Sequence, residues 1–142
     1  MSNSNLVTCT RISPNRTSPR NHKIDTITIH CTAGQCTAQQ VLNMNHITTY
    51  STSKGASCNY VVDKDGSIGL CVPESDRSWC SSSSSNDHRA ITIEVSSDPT
   101  HPYAVTDAAY KALIDLLVDI CQRNNIPELK WKGDKSLIGQ TD

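Results

Sequence analysis

The chain has 142 residues, 36% hydrophobic and 19% charged, and its 13 basic and 14 acidic side chains leave a formal charge of −1. That is one domain's worth of sequence with a thin core, since ordinary domains carry about 45–50% apolar residues, and the near-neutral charge excludes bulk attraction to nucleic acid or anionic lipid. No window approaches the roughly 20 apolar residues of a membrane span and residues 1–23 lack an apolar signal core, which predicts no membrane insertion, no secretory leader and folding in a reducing cytosol.

Residues 1–23 are polar and carry Pro14 and Pro19, so they read as an arm of the same domain, either extended or a strand with a loop. Ile24 to His30 then alternates, with Ile27 and Ile29 on one face and Thr26, Thr28 and His30 on the other, a strand ending on a histidine. After a loop, Thr37-Ala38-Gln39-Gln40 has the capping-box pattern and predicts a short helix through about Ile47. Asn59 to Val62 and Ile68 to Val72 flank Asp65-Gly66, the signal of a hairpin. The five consecutive serines at 81–85 read as a solvated flexible loop.

Ala90 to Ser96 repeats the first alternating pattern, with Ile91, Ile93 and Val95 apolar and Thr92, Glu94 and Ser96 polar. Thr106 is a candidate N-cap, and Ala109, Leu113, Leu116, Leu117 and Ile120 follow at helical spacing until Asn124-Asn125 and Pro127 stop the run. Strands interleaved with helices predict an α/β fold, a mixed central β-sheet flanked by helices, in one domain over 1–142. The seven cysteines are odd in number and contain no CxxC, so reduced thiols are expected rather than a disulfide framework or a zinc knuckle.

The two strands each end their polar face on an ionisable residue. If they lie parallel and adjacent, His30 and Glu94 open into one crevice at the strand ends, where open sheets bind ligands. An imidazole and a carboxylate there suit a metal ligand and a general base. The same pattern also fits a hydrogen-bonded strand-end histidine beside a solvated edge carboxylate.

Four ordered segments carry a resemblance: Ile27-Thr28-Ile29-His30-Cys31-Thr32-Ala33; Ser57-Cys58-Asn59-Tyr60-Val61-Val62-Asp63-Lys64-Asp65-Gly66; Asp76-Arg77-Ser78-Trp79; and Asn86 with Ala90-Ile91-Thr92-Ile93-Glu94. Together they resemble the type 2 N-acetylmuramoyl-L-alanine amidases, which include phage endolysins and the peptidoglycan recognition proteins. In detail the chain is most similar to endolysin or autolysin members of clostridia-like bacteria and their phages. The resemblance implies a mixed sheet flanked by helices, one Zn²⁺ in a surface groove, and cleavage of the amide between N-acetylmuramic acid and L-alanine in peptidoglycan. It implies synthesis in the cytosol and action on the cell wall after release.

Carried over by position, His30 matches the first zinc ligand and Glu94 the carboxylate that serves catalysis. Cys58 stands where other members have a Tyr, which gives Glu94 more weight. Trp79 and Asn86 match groove-lining, substrate-binding positions, and Asn59 is expected to reach the cleft if Tyr60 turns to the core. The family's second and third ligands lie near the C-terminal end of the domain, and no such segment is present here. The expectation is a chain truncated before it; the alternative is that Gly139-Gln140-Thr141-Asp142 is a degenerate copy with Gln in place of His. With His30 the only matched ligand, poor zinc binding is expected. His22, His46, His88 and His101 are expected in surface or capping roles, His88 being nearest the cleft in sequence. The competing functions are a muropeptide-binding module without catalysis and a cysteine hydrolase using Cys31 or Cys58 with His30.

Overall fold

The computed structural model describes residues 1–137. In chain order its elements are β1 (Cys9–Thr10), β2 (Arg16–Thr17), β3 (Thr26–Cys31), α1 (Ala38–Leu42), α2 (Asn45–Thr48), β4 (Tyr60–Val62), β5 (Ile68–Leu70), β6 (Arg77–Ser78), α3 (Ser84–Arg89), β7 (Ala90–Val95) and α4 (Asp107–Arg123), then a 3-10 turn at Lys135–Leu137. The principal sheet is mixed, in the order β1-β5-β4-β7-β3, and β2 pairs with β6 in a small second sheet. The expected architecture of a mixed sheet between helices is the one observed. The segment 139–142 lies outside the described residues.

The two alternating sequences become the two longest strands and lie side by side in parallel, Thr26 opposite Ala90 and His30 opposite Glu94. Ile91, Ile93 and Val95 face α4, whose Ala109, Leu116 and Ile120 are fully buried against them. Burying a side chain of that size contributes roughly 1.5–3 kcal/mol. Thr106 caps α4 as its sequence predicts, its hydroxyl accepting from the Ala109 amide. On the opposite side Val41, Leu42 and Ile47 pack on Val61 and Val72. β3 forms one edge of the sheet, and among the described residues no strand pairs with its outer side.

The capping box at Thr37 forms in both directions, but the predicted helix is broken after Leu42. Met44 is extended, and α2 restarts behind it. In one continuous helix Ile47 would point about 140° away from Leu42. The break returns Ile47 to the sheet. The serine run is also ordered: the Ser83 hydroxyl accepts from the Asn86 amide and caps α3, and Ser81 donates to Asp87. The flexible-loop expectation fails because the buried Asp87 carboxylate offers acceptors that serine hydroxyls and amides fill. The N-terminal arm is tied in as well, with the amides of Thr8, Arg11 and Ser13 donating to carbonyls of Ile68, Leu70 and Cys71.

Arg20, only 7% exposed, organises the connection between β5 and β7. Its guanidinium donates to the carbonyls of Glu74, Asp76, Asp87, His88 and Ala90 at 2.7–3.4 Å. A planar fork with five N–H groups is the one side chain that can serve so many carbonyls at once.

Two stability predictions follow from these contacts. Arg20→Ala leaves buried carbonyls unpaired and is expected to destabilise the fold by about 3 kcal/mol in urea unfolding; a loss under about 1 kcal/mol contradicts the hub. Asp25 receives Arg89 at 2.9 Å, and that hydrogen bond holds its carboxyl below the usual carboxylate range. A depressed folded pKa stabilises above the unfolded value of about 3.9 and stops doing so as pH falls through the folded one. Asp25→Asn is therefore expected to be less stable than the parent at pH 7, by under about 1 kcal/mol for so exposed a pair. The difference closes as pH falls through the depressed folded pKa of Asp25; a gap independent of pH contradicts the pairing.

Candidate metal centre

The β3–β7 register sets the side chains of Thr28 and His30 beside those of Thr92 and Glu94 on the face opposite α4. His30 Nδ1 lies 3.4 Å from Glu94 Oε1. A third group joins them from the segment between β6 and α3: Cys80 Sγ is 3.5 Å from His30 Nδ1 and 3.9 Å from Glu94 Oε1. This is the one cluster of His, Cys and acidic donors that converges in this way among the described residues.

Both flanks of Cys80 are fixed. On one side the Ser57 amide donates to the Trp79 carbonyl and the Trp79 amide to the Ser57 hydroxyl. On the other, the amides of Cys80 and Ser81 both donate to the buried carboxylate of Asp87. A cavity of about 230 Å³ opens beside the cluster, between Met44, His46 and Ile47 on one wall and Cys58, Cys80 and Glu94 on the other.

Burial raises the pKa of Glu94 against the opposing pull of His30 and Cys80. Burial, with the negative charges of Glu94 and Asp87, pushes the Cys80 thiol up to about 12. Neither is the setting of a cysteine nucleophile, which needs a stabilised thiolate. The geometry points the same way. A cysteine–histidine–carboxylate relay puts the nucleophile on one ring nitrogen and the acid on the other, whereas here Cys80 and Glu94 both approach Nδ1. Cys58 is buried, with its thiol pushed well up by Cys71 and by burial, and Cys31, exposed at the strand end on the cavity rim, is not among the groups that converge on His30.

The remaining predicted site residues divide. Asn86 hydrogen-bonds Thr28, two residues before His30 on the same face, and Ser81. Trp79 is half-buried, with its indole N–H donating to Thr17 and its ring 5.9 Å from exposed Tyr50. Asn59 does not reach the cleft. Tyr60 does turn to the core, where its hydroxyl donates to Glu74, but Asn59 is fully buried and its amide spans the carbonyls of Val72 and Pro73 and the amide of Thr92. An amide buried there is consumed by backbone groups that would otherwise lack partners. His88 accepts from the Asn21 amide, away from the cluster; His46 is the histidine that lines the cavity.

Cys80 was not legible as a site residue. It sits 50 residues from His30 and 14 from Glu94, and the pairing of Ser57 with Trp79 together with the Asp87 carboxylate brings it to the strand ends.

The sequence profile of the N-acetylmuramoyl-L-alanine amidases matches residues 20–141. The chain belongs to this family. Comparison with curated proteins finds no match. Among solved structures, the endolysin amidase LysCS of Clostridium intestinale is similar at 21% identity and a TM-score of 0.68, over 92% of this chain and 82% of that one. AmpD is similar at 17% identity and 0.64, over 91% and 88%. Drosophila peptidoglycan recognition protein SA is similar at 19% and 0.65, over 86% and 76%. At these identities the likeness is one of fold. The donor set of this amidase-family chain, one imidazole nitrogen, one thiol sulfur and one carboxylate oxygen, is made of atoms that hold zinc.

Because Asp87 is the anchor of the Cys80 segment, Asp87→Ala is expected to cost about 2–3 kcal/mol in chemical unfolding and to speed the reaction of Cys80 with a thiol reagent in the folded protein. Unchanged labelling of Cys80 contradicts the anchoring role.

Proposed function

We propose that this chain hydrolyses the amide between N-acetylmuramic acid and the L-alanine of the peptide stem in peptidoglycan, with zinc as its metal. The observation that carries the reading is the placement of His30 opposite Glu94 beside a cavity, in a chain of the amidase family. The residue roles here are part of the same proposal.

His30 holds the metal and Glu94 moves the proton. Zinc, when bound, supplies a Lewis acid for the lactyl carbonyl and lowers the pKa of water. Glu94 accepts a proton from the attacking water as the new C–O bond forms and returns it to the alanine nitrogen as the C–N bond breaks. Water and amide thus become a carboxylic acid and an amine. A half-buried carboxylate of raised pKa suits this two-way transfer, because a carboxyl moved towards the operating pH takes a proton more readily and still gives it up. Trp79 with Tyr50 offers an apolar surface beside the cleft for a sugar ring or the peptide stem. Asn86, through Thr28, steadies the strand that carries His30. No helix among the described residues is long and apolar enough to cross a membrane, and the proposed substrate is the wall reached after release from the cytosol.

Purified protein is expected to release new L-alanine amino termini from Gram-positive walls, to stop on chelation and to resume with zinc. Glu94→Gln is expected to lower the rate by about 10²–10⁴-fold. New reducing ends alone would mean a glycosidase. Muropeptide binding in calorimetry, indifferent to chelator and without cleavage, would mean a binding module, and either result overturns the proposal.

A further inference from the structure

We infer that Cys80 is a metal ligand of this chain, its thiolate joining His30 Nδ1 and Glu94 Oε1 in a nitrogen–sulfur–oxygen site for a zinc-class divalent cation, with Glu94 Oε2 left free for the proton transfer proposed above. The inference deepens the amidase reading, on which it rests for the identity of the cation, but its geometry stands separately. All three ligands lie between residues 30 and 94, so the site needs no contribution from the C-terminal segment where the family resemblance expects two ligands.

The triangle of donor atoms has the right size. Zinc bonds of about 2.0 Å to nitrogen or oxygen and 2.3 Å to sulfur, at tetrahedral angles, separate nitrogen from oxygen by about 3.3 Å and sulfur from either by about 3.5 Å. The observed separations are 3.4 Å for His30 to Glu94, 3.5 Å for Cys80 to His30 and 3.9 Å for Cys80 to Glu94. Only the last must tighten, by a few tenths of an ångström. Three donor atoms within 3.9 Å of one another, two of them beside the same imidazole nitrogen, is the arrangement a shared cation calls for; a catalytic relay would string them in a line.

Charge and softness select the ion. A thiolate and a carboxylate against a neutral imidazole cancel a double positive charge within the site, with the thiol proton released to solvent on binding. A sulfur donor disfavours magnesium and calcium, which take oxygen ligands, and favours zinc, cobalt(II) or cadmium. Three protein donors leave one of four tetrahedral positions open, the count of catalytic rather than structural zinc. The adjoining cavity is lined by Cys80 and Glu94 themselves.

The full chain titrated with cobalt chloride is expected to bind one equivalent and to show visible bands of a tetrahedral ion with a near-ultraviolet thiolate-to-cobalt charge-transfer band. Cys80→Ser is expected to lose the charge-transfer band and at least tenfold in affinity, while Cys121→Ser on α4 keeps both. The unaltered chain gives a second readout that needs no variant: one equivalent of cobalt is expected to slow alkylation of Cys80, mapped by peptide mass, more than tenfold relative to Cys121. Cobalt bound without the band, a band that survives in folded Cys80→Ser, unprotected Cys80, or no stoichiometric binding at micromolar cobalt each overturns the inference. Zinc-dependent wall cleavage without the band would leave the amidase reading standing and this inference refuted. The band without cleavage would do the reverse.

Discussion

The parallel pairing of β3 with β7 in a single register is the constraint on which the rest depends. Strand side chains alternate, so a slip of one residue would send His30 or Glu94 to the α4 side and place isoleucine in the cleft. The register holds chiefly through β7, where Ile91, Ile93 and Val95 are buried beneath α4 with Ile27 of β3 packed partly against the same cluster, and Thr92 is locked on the other face by Ser78 and Asn59. Packing thus fixes which atoms meet at the strand ends. The chemistry of the site follows from a choice the core makes.

What the strands cannot supply, buried polar contacts deliver. The segment from 73 to 89 has little apolar material of its own, and it is held by charge instead. Arg20 gathers its carbonyls, and Asp87 gathers the amides of Cys80 and Ser81. Glu74, fully buried, takes both guanidinium nitrogens of Arg123 at 2.6 and 3.0 Å and the hydroxyl of Tyr60. The last set ties the segment to α4 and raises the pKa of the Tyr60 phenol through burial and the neighbouring carboxylate. Removing one member of such a set is costly because the partner's charge stays buried, and this rigidity is what a metal site with fixed donor separations requires.

The legible features of the sequence are the local ones. The capping box at Thr37, the N-cap at Thr106, the Asp65-Gly66 hairpin and both alternating strands are short-range signals, and each corresponds to an element of the fold. The parallel pairing of His30 with Glu94 was inferred from the likeness of two strands and is observed. The features that were not legible are products of distant partners. The break at Met44 answers to the sheet, the ordered serines answer to Asp87, and Asn59 was drawn from the cleft by the unpaired backbone of Thr92 and Val72. Cys80 is the largest such gap, since its approach to His30 depends on a segment whose shape Arg20, Ser57 and Asp87 impose. A sequence rule for metal sites looks for close spacing of ligands, and this cluster has none.

The most direct measurement of the central claim is a crystal structure of the zinc-loaded chain with anomalous differences recorded on both sides of the zinc edge. The pairing of β3 with β7 and the anchored Cys80 segment together call for one anomalous peak within about 2.0–2.3 Å of His30 Nδ1, Cys80 Sγ and Glu94 Oε1. A peak bound to His30 but remote from Cys80 and Glu94, or a peak elsewhere in the molecule, would contradict it.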